Sequence, residues 1–236
     1  MPELALPTEA ELEALRKLDT PTVCNALEVL RPARRGYGYT TEPLVCCFPD
    51  LRPMVGFART ATIRSMHPQA GEAAALKERK LAYYAMIEEG PRPSIVVLED
   101  IDPLPGYGSF WGEVQSNVHK GLGALGTITN GCVRDIPDCA PGFQFMAGSI
   151  KPSHAFVHVV EIGVEVTVCG MAVKPYDLIH ADRHGAVVVP YDLAAKVPEA
   201  AALVARKERL VIEASRKPGF SVAELRKAFA AQEDIH

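Results

Sequence analysis

Long apolar runs are missing from this chain: no segment approaches the roughly 18 consecutive apolar residues of a membrane-spanning helix. An excess of either charge is missing too. The 25 Lys and Arg against 29 Asp and Glu are interspersed and leave a net charge of -4, so the basic stripe that a nucleic-acid backbone demands is absent. Cys24, Cys46, Cys47, Cys132, Cys139 and Cys169 stand in no CxxC or zinc-knuckle spacing, which points to reduced, mostly buried thiols. The G-x-S-x-G elbow, the P-loop and the HExxH helix are all lacking, and with them the usual sequence support for serine hydrolases, phosphate-loop enzymes and helical zinc proteases. The opening MPELALPTEAELEALRKL carries acids where a secretory leader would carry positive charge, so a cytoplasmic location is the expectation.

What is present is a chain of 236 residues, 48% hydrophobic and 23% charged, with no internal repeat or linker. It reads as one α/β domain over 1–236, with helices in 1–30, a core in 55–190 and further helices in 192–236. Thr8 and Glu11 form a capping box, and Thr20 before Pro21 predicts an N-cap for a second helix. Residues 31–54, rich in Pro and Gly, read as a long surface loop. VGFARTATIRS (55–65) alternates like a strand. Gly71 to Gly90 bounds an amphipathic helix of about five turns. SIVVLED (94–100) reads as a strand covered on both faces whose C-terminal end opens onto a polar site. Several short strands fill 143–190, a long helix runs from Asp192 to Arg216, and Ser221 with Glu224 caps a last one.

Several polar constellations invite over-reading. GLGALG (121–126) matches G-x-G-x-x-G, yet its glycines follow a helical segment and open a strand, the reverse of a dinucleotide fingerprint. A helix C-cap at Gly121 is the better reading. His180, Asp182 and His184 could share one strand face as ligands, but ADRHG has the composition of a hairpin turn. His154 and His158 lie on a β-like run, and Cys132 near Arg134 lacks a histidine partner.

The stretch from Trp111 to Asp138 holds more. SFWGEVQSN places small and polar residues at a helix head, where the free N–H groups around Gly112, Glu113, Val114 and Gln115 suit a carboxylate or phosphate. Glu113 either favours the helix dipole or helps hold a hydrated cation. After a strand, an Asn130-Gly131 turn delivers Arg134, a fork for carboxylate or carbonyl oxygens, and Asp135, a hard oxygen ligand for Mg²⁺ or Mn²⁺. The competing reading is a helix-capping aspartate beside a surface arginine.

The segments WGEVQS, GALGTITNGCVRD and VKPYDLIHADRHGAVVVP resemble the RraA-like family, over roughly residues 20–190. That family includes 4-hydroxy-4-methyl-2-oxoglutarate and 4-carboxy-4-hydroxy-2-oxoadipate aldolases and regulators of ribonuclease E. The resemblance implies a swivelling β/β/α fold assembled as trimers or pairs of trimers, with the active site between subunits. It implies Mg²⁺ or Mn²⁺ held directly by Asp135, and Arg134 on the substrate's oxygens. It further implies the Gly112–Gln115 backbone on a pyruvyl carboxylate, and Glu113 reaching the metal through water. Glu208 or Glu213 of the partner subunit is the candidate to complete that water shell.

The implied reaction is cleavage of a 4-hydroxy-2-oxo acid to pyruvate, with oxaloacetate decarboxylation as a side activity, and the implied partners are that small acid and other copies of the chain. The alternative is a non-catalytic regulator binding an RNA-processing enzyme, a branch that lacks the acidic Gly-Glu motif and the aspartate after the arginine. The chain departs from the family pattern where Val114-Gln115 replaces two leucines, which bears on substrate, and where Tyr176 replaces glycine, which bears on a turn.

Overall fold

The computed structural model describes residues 5–235; residues 1–4 and 236, the ends of the expected unit, lie outside the described residues. Capping starts the first helix as the sequence predicts. In α1 (Glu9–Leu15) the Glu11 N–H donates to the Thr8 hydroxyl and the Thr8 N–H to the Glu11 carboxylate. The cap of α2 (Thr20–Leu30) sits one residue earlier than expected: Asp19 accepts the Thr22 N–H at 2.9 Å, and Thr20 is already helical. An acid accepts that N–H as well as a hydroxyl does, and Pro21 tolerates the second helical position.

Residues 31–54 are not a free loop. A short 3-10 turn, Pro32–Gly36, leads to β1 (Val45–Cys46), and in between Thr40 and Thr41 donate backbone N–H groups to Ala186 and Cys169 carbonyls. The segment is a strap tied to the sheet. The next strand, β2 (Met54–Arg64), is buried on both faces, although its alternation predicts one polar face. Its buried Arg59 shows how: the guanidinium donates to the Pro91 carbonyl at 2.7 Å and lies 5.1 Å from the Tyr176 ring centre. Burial lowers the Arg59 pKa from its ordinary value.

The helix α3 (Ala73–Glu88) is less amphipathic than expected, fully burying only Tyr83 and Ile87. Then come β3 (Ser94–Asp100), β4 (Ser109–Trp111), α4 (Glu113–Gly121), β5 (Ala124–Val133) and β6 (Gln144–Ile150). The later strands are β7 (His158–Ile162), β8 (Val166–Val168), β9 (Met171–Val173), β10 (Leu178–Asp182) and β11 (Gly185–Val189). Helices α5 (Tyr191–Ala194), α6 (Val197–Ser215) and α7 (Val222–Glu233) follow, so the expected long C-terminal helix is broken in two.

Among the described residues the main sheet runs β1-β6-β5-β3-β2-β10-β11, with β4 beside β5 and β7 beside β2. Its centre, β2-β3-β5-β6, is parallel, and β10 and β11 join antiparallel. Parallel strands bury both faces, which is why SIVVLED is uninterrupted. One face packs on α1, α2 and α6 through Leu15, Val23, Phe57 and Val197, and a second cluster joins Trp111, Phe143 and Phe145 to Tyr83 and Ile87. No described helix is long and apolar enough to cross a membrane.

Candidate active site

Three backbone devices build the site. The first is Gly112, the N-cap of α4, a helix that opens directly from β4. Beneath it Trp111 is fully buried among Phe143, Phe145 and His119, whose ring lies 4.6 Å from the indole. His119 receives the Tyr83 hydroxyl at 2.8 Å and donates from Nδ1 to the Gln115 carbonyl at 2.7 Å. Burial pulls its pKa down to about 4, so the ring stays neutral. This aromatic floor fixes the direction of the first turn of α4.

The second device is β5. Asn130 and Gly131, expected to form a tight turn, lie inside this strand. The pairing of β5 with β6 slips between Thr129 and Cys132, so the extra residues form a bulge. Asn130 closes the neighbouring strand end as a backbone would: its Oδ1 accepts the Asp100 N–H at 2.7 Å and its Nδ2 donates to the Asp100 carbonyl at 3.0 Å. A bulge and a turn share residue preferences, and only pairing partners distinguish them.

The third device is the end of that strand. The Arg134 N–H donates to the Trp111 carbonyl at 3.0 Å, bringing the strand end against the helix head. Asp135 then takes a left-handed conformation, φ 52°, which turns its side chain back toward Gly112. A Cβ built on Gly112 would lie 2.6 Å from Asp135 Oδ2, so any larger residue there would push the carboxylate out of this position. Arg134 Nε lies 3.4 Å from the same oxygen, and the two side chains are 34% and 39% exposed. Asp135 precedes the 3-10 turn Ile136–Asp138 without a capping hydrogen bond from its side chain, which removes the reading as a helix-capping aspartate.

The site gathers Gly112, Arg134 and Asp135, with Glu113 exposed in the first helical turn. It also contains residues that the sequence did not single out. Ser116 Oγ donates to the Glu113 carbonyl at 2.8 Å and accepts the Ala140 N–H at 3.0 Å, clasping α4 to the segment after Asp135. Cys139 donates its thiol to the Asp135 carbonyl at 3.0 Å. Burial pushes the Cys139 pKa up, against the hydrogen bond to Ser116, and the negative charges of Asp135, Asp138 and Glu113 push it further.

The half-exposed Asp135 carboxylate at the helix head is the group here that could take a hard divalent cation. Among the described residues no group of three or more His, Cys, Asp or Glu side chains forms a cage, so a cation would rest on Asp135 and on water, as Mg²⁺ characteristically does. Glu208 and Glu213 lie on α6, which packs against α2 and α7, so within one chain they do not complete the site. Val114 is 68% exposed, and Gln115 accepts the Tyr84 hydroxyl at 3.0 Å.

The other constellations are structural. His180 is buried, with Nε2 3.1 Å from the Leu18 carbonyl and Nδ1 3.1 Å from the Thr20 hydroxyl. Asp182 pairs with Gly185 across the β10-β11 hairpin, as the turn reading expects. His154 and His158 contact the Ala155 and Phe156 carbonyls. The glycines of GLGALG follow α4 and open β5 as expected, but the cap falls later than Gly121: Leu122 is the C-cap and Gly123 takes φ 93°. Burial raises the Cys132 pKa, opposite to what a nucleophile beside Arg134 requires. All six cysteines are free, with Cys132, Cys139 and Cys169 buried.

Comparison with known proteins places this geometry in a family. An uncharacterized protein of Methanocaldococcus jannaschii is 34% identical over 107 residues, which are 44% of this chain and 51% of that one, so the chain spans about half the length of this curated relative. A crystal structure of an uncharacterized protein from Pseudomonas syringae matches with a TM-score of 0.70 at 24% identity, covering 95% of this chain and 96% of that one. Streptomyces coelicolor RraAS2, described as an unusual member of the RNase ES inhibitor RraA protein family, matches with a TM-score of 0.67 at 23% identity, covering 88% and 98%. The model of the family described as RraA-like, Aldolase/RraA, matches residues 20–188, a span from α2 to the end of β11 that contains the whole helix-head site, and the chain belongs to that family.

Proposed function

We propose that the chain is a divalent-metal-dependent carbon–carbon lyase that releases pyruvate from a 4-hydroxy-2-oxo acid. The observation that carries this reading is the approach of the Asp135 carboxylate, held at positive φ and free of any capping bond, to the glycine at the head of α4. Mg²⁺ or Mn²⁺ bound there, by Asp135 directly and by Glu113 through water, would supply positive charge for the oxygen on which an enolate's charge develops.

The chain's own groups do the positioning. The first-turn N–H groups of α4 have no helical partner and face an incoming carboxylate, with the helix dipole behind them. Arg134, held by long contacts to the Pro152 carbonyl at 3.5 Å and to Asp135 at 3.4 Å, would turn its fork onto the same end of the substrate. With the 1-carboxylate and 2-oxo group fixed, the C3–C4 bond breaks. Its electron pair moves to C3 and the 2-oxo oxygen, the 4-hydroxyl loses its proton as C4 becomes a carbonyl, and protonation at C3 gives pyruvate. Oxaloacetate meets the same requirements and would lose CO₂ by the same electron flow. Exposed Val114 and Val118, 68% and 36% accessible on the outer face of α4, support a site covered by a second copy, which is where Glu208 or Glu213 of the partner subunit would enter.

The test is pyruvate release from 4-hydroxy-4-methyl-2-oxoglutarate with Mg²⁺ or Mn²⁺, read by coupled reduction of pyruvate. Asp135→Ala is expected to bring metal-dependent turnover to background, a loss of about 10³-fold or more. Arg134→Ala should lose about 10²-fold with an unchanged melting temperature. Wild-type-like turnover in either variant overturns the assignment, and no turnover with any oxo acid turns attention to ribonuclease inhibition, the role described for the family of the Streptomyces neighbour.

A further inference from the structure

On the flank of α4 that faces α3, a cleft of about 350 Å³ opens between these helices and β7. Its lining includes Gln115 but not Gly112, Glu113, Arg134 or Asp135, so it is a separate space from the helix-head site. The volume is in the range of small-molecule sites. The floor is aromatic: the half-buried rings of Tyr84 and Phe110 line it, backed by the fully buried Tyr83, which lies 5.4 Å from Tyr84 and 5.7 Å edge-on from Phe110.

The rim has one sign of charge. Lys77 and Lys80 lie on it, no Asp or Glu belongs to the lining, and among the described residues neither lysine is ion-paired. Arg79, the remaining cation, already donates to the Val160 carbonyl. A neutral donor completes the set: because the Tyr84 hydroxyl occupies Gln115 Oε1 at 3.0 Å, the amide N–H₂ is the end left to bond a ligand.

We propose that this cleft binds a small organic anion with a flat apolar body, an aryl carboxylate, packed on Tyr84 and Phe110 with its carboxylate at Lys77, Lys80 and the Gln115 amide. The two accessible rings select the body and the two ammonium groups select the charge. The site is independent of metal and of the lyase reading.

The experiment titrates the full chain with phenylacetate by calorimetry, against phenylacetamide, which keeps the ring without the charge, and acetate, which keeps the charge without the ring. Phenylacetate is expected to bind at least tenfold tighter than either. The double variant Lys77→Gln/Lys80→Gln should weaken it at least tenfold at unchanged melting temperature, and Asp135→Ala should leave it unchanged. Absence of saturable binding, equal binding of the amide, or an unaffected double variant overturns the proposal. So does loss of binding in Asp135→Ala, which would place the ligand at the helix head instead.

Discussion

Asp135 and Asp182 are both acids at a strand end beside a basic or imidazole neighbour, and the fold treats them oppositely. Asp182 has a side chain only 9% exposed and accepts the Thr20 N–H at 3.0 Å and the His184 N–H at 2.9 Å. Burial would raise its pKa, but these backbone hydrogen bonds outweigh burial and hold it below the ordinary carboxylate value. Its lone pairs are taken up in tying α2 to the β10-β11 hairpin. Asp135 is about four times as exposed, sits on strained backbone, and has Arg134 Nε 3.4 Å from one oxygen. A carboxylate saturated by backbone donors is a brace, whereas a strained and undersatisfied one is a candidate ligand.

The sharpest way to break this comparison is Gly112→Ala. The added methyl would lie 2.6 Å from Asp135 Oδ2 and force the carboxylate aside, and pyruvate release should fall about 10²-fold while the fold persists. Unchanged kinetics would mean that the approach of Asp135 to the helix is incidental. Next in size is the stability contrast: Asp182→Ala should cost about 2 kcal/mol in urea unfolding at neutral pH, because two backbone N–H groups lose their acceptor. Asp135→Asn should cost nothing or stabilise slightly, since asparagine tolerates the left-handed conformation. Because the Asp182 pKa is depressed on folding, its contribution is full above the ordinary carboxylate range and is lost as pH falls through the lowered value. The Asp182→Ala deficit should therefore shrink below about pH 4.

His119 sharpens the role of the floor. Its folded value near 4 lies below the ordinary 6.5, so the neutral ring favours folding above that range and stability drains as pH falls toward 4. The loss should approach about 1 kcal/mol per pH unit, and His119→Gln should flatten that slope in denaturation measured at several pH values. The smallest effect is expected at Tyr176, which takes φ 69° yet lies over Arg59. Tyr176→Gly relieves the strain and removes the cation–π contact, two terms of about 1 kcal/mol that nearly cancel in a melting curve.

Much of the scaffold was legible because local rules suffice for it. The Thr8 capping box, the doubly buried SIVVLED strand and the rejection of GLGALG as a cofactor loop each follow from spacing within a few residues. The misreadings share a cause. The polar residues of β2 suggest an exposed face because the sequence does not show that Pro91 and Tyr176 arrive to satisfy Arg59. Asn130-Gly131 suggests a turn because its partner, the end of β3, is 30 residues away. Tyr176, expected to affect only a turn, reaches across it to cover that buried arginine.

By itself the sequence determined the doubly covered strand SIVVLED, the helix that opens at Gly112 and the family to which Arg134-Asp135 points, since hydrophobic period, caps and motif are properties of neighbours in the chain. Only the tertiary structure decided which carboxylates are engaged and which are free. That depends on where backbone N–H groups from distant segments end up: they saturate Asp182, whereas the left-handed turn at Asp135 carries its side chain away from capping and toward the helix head.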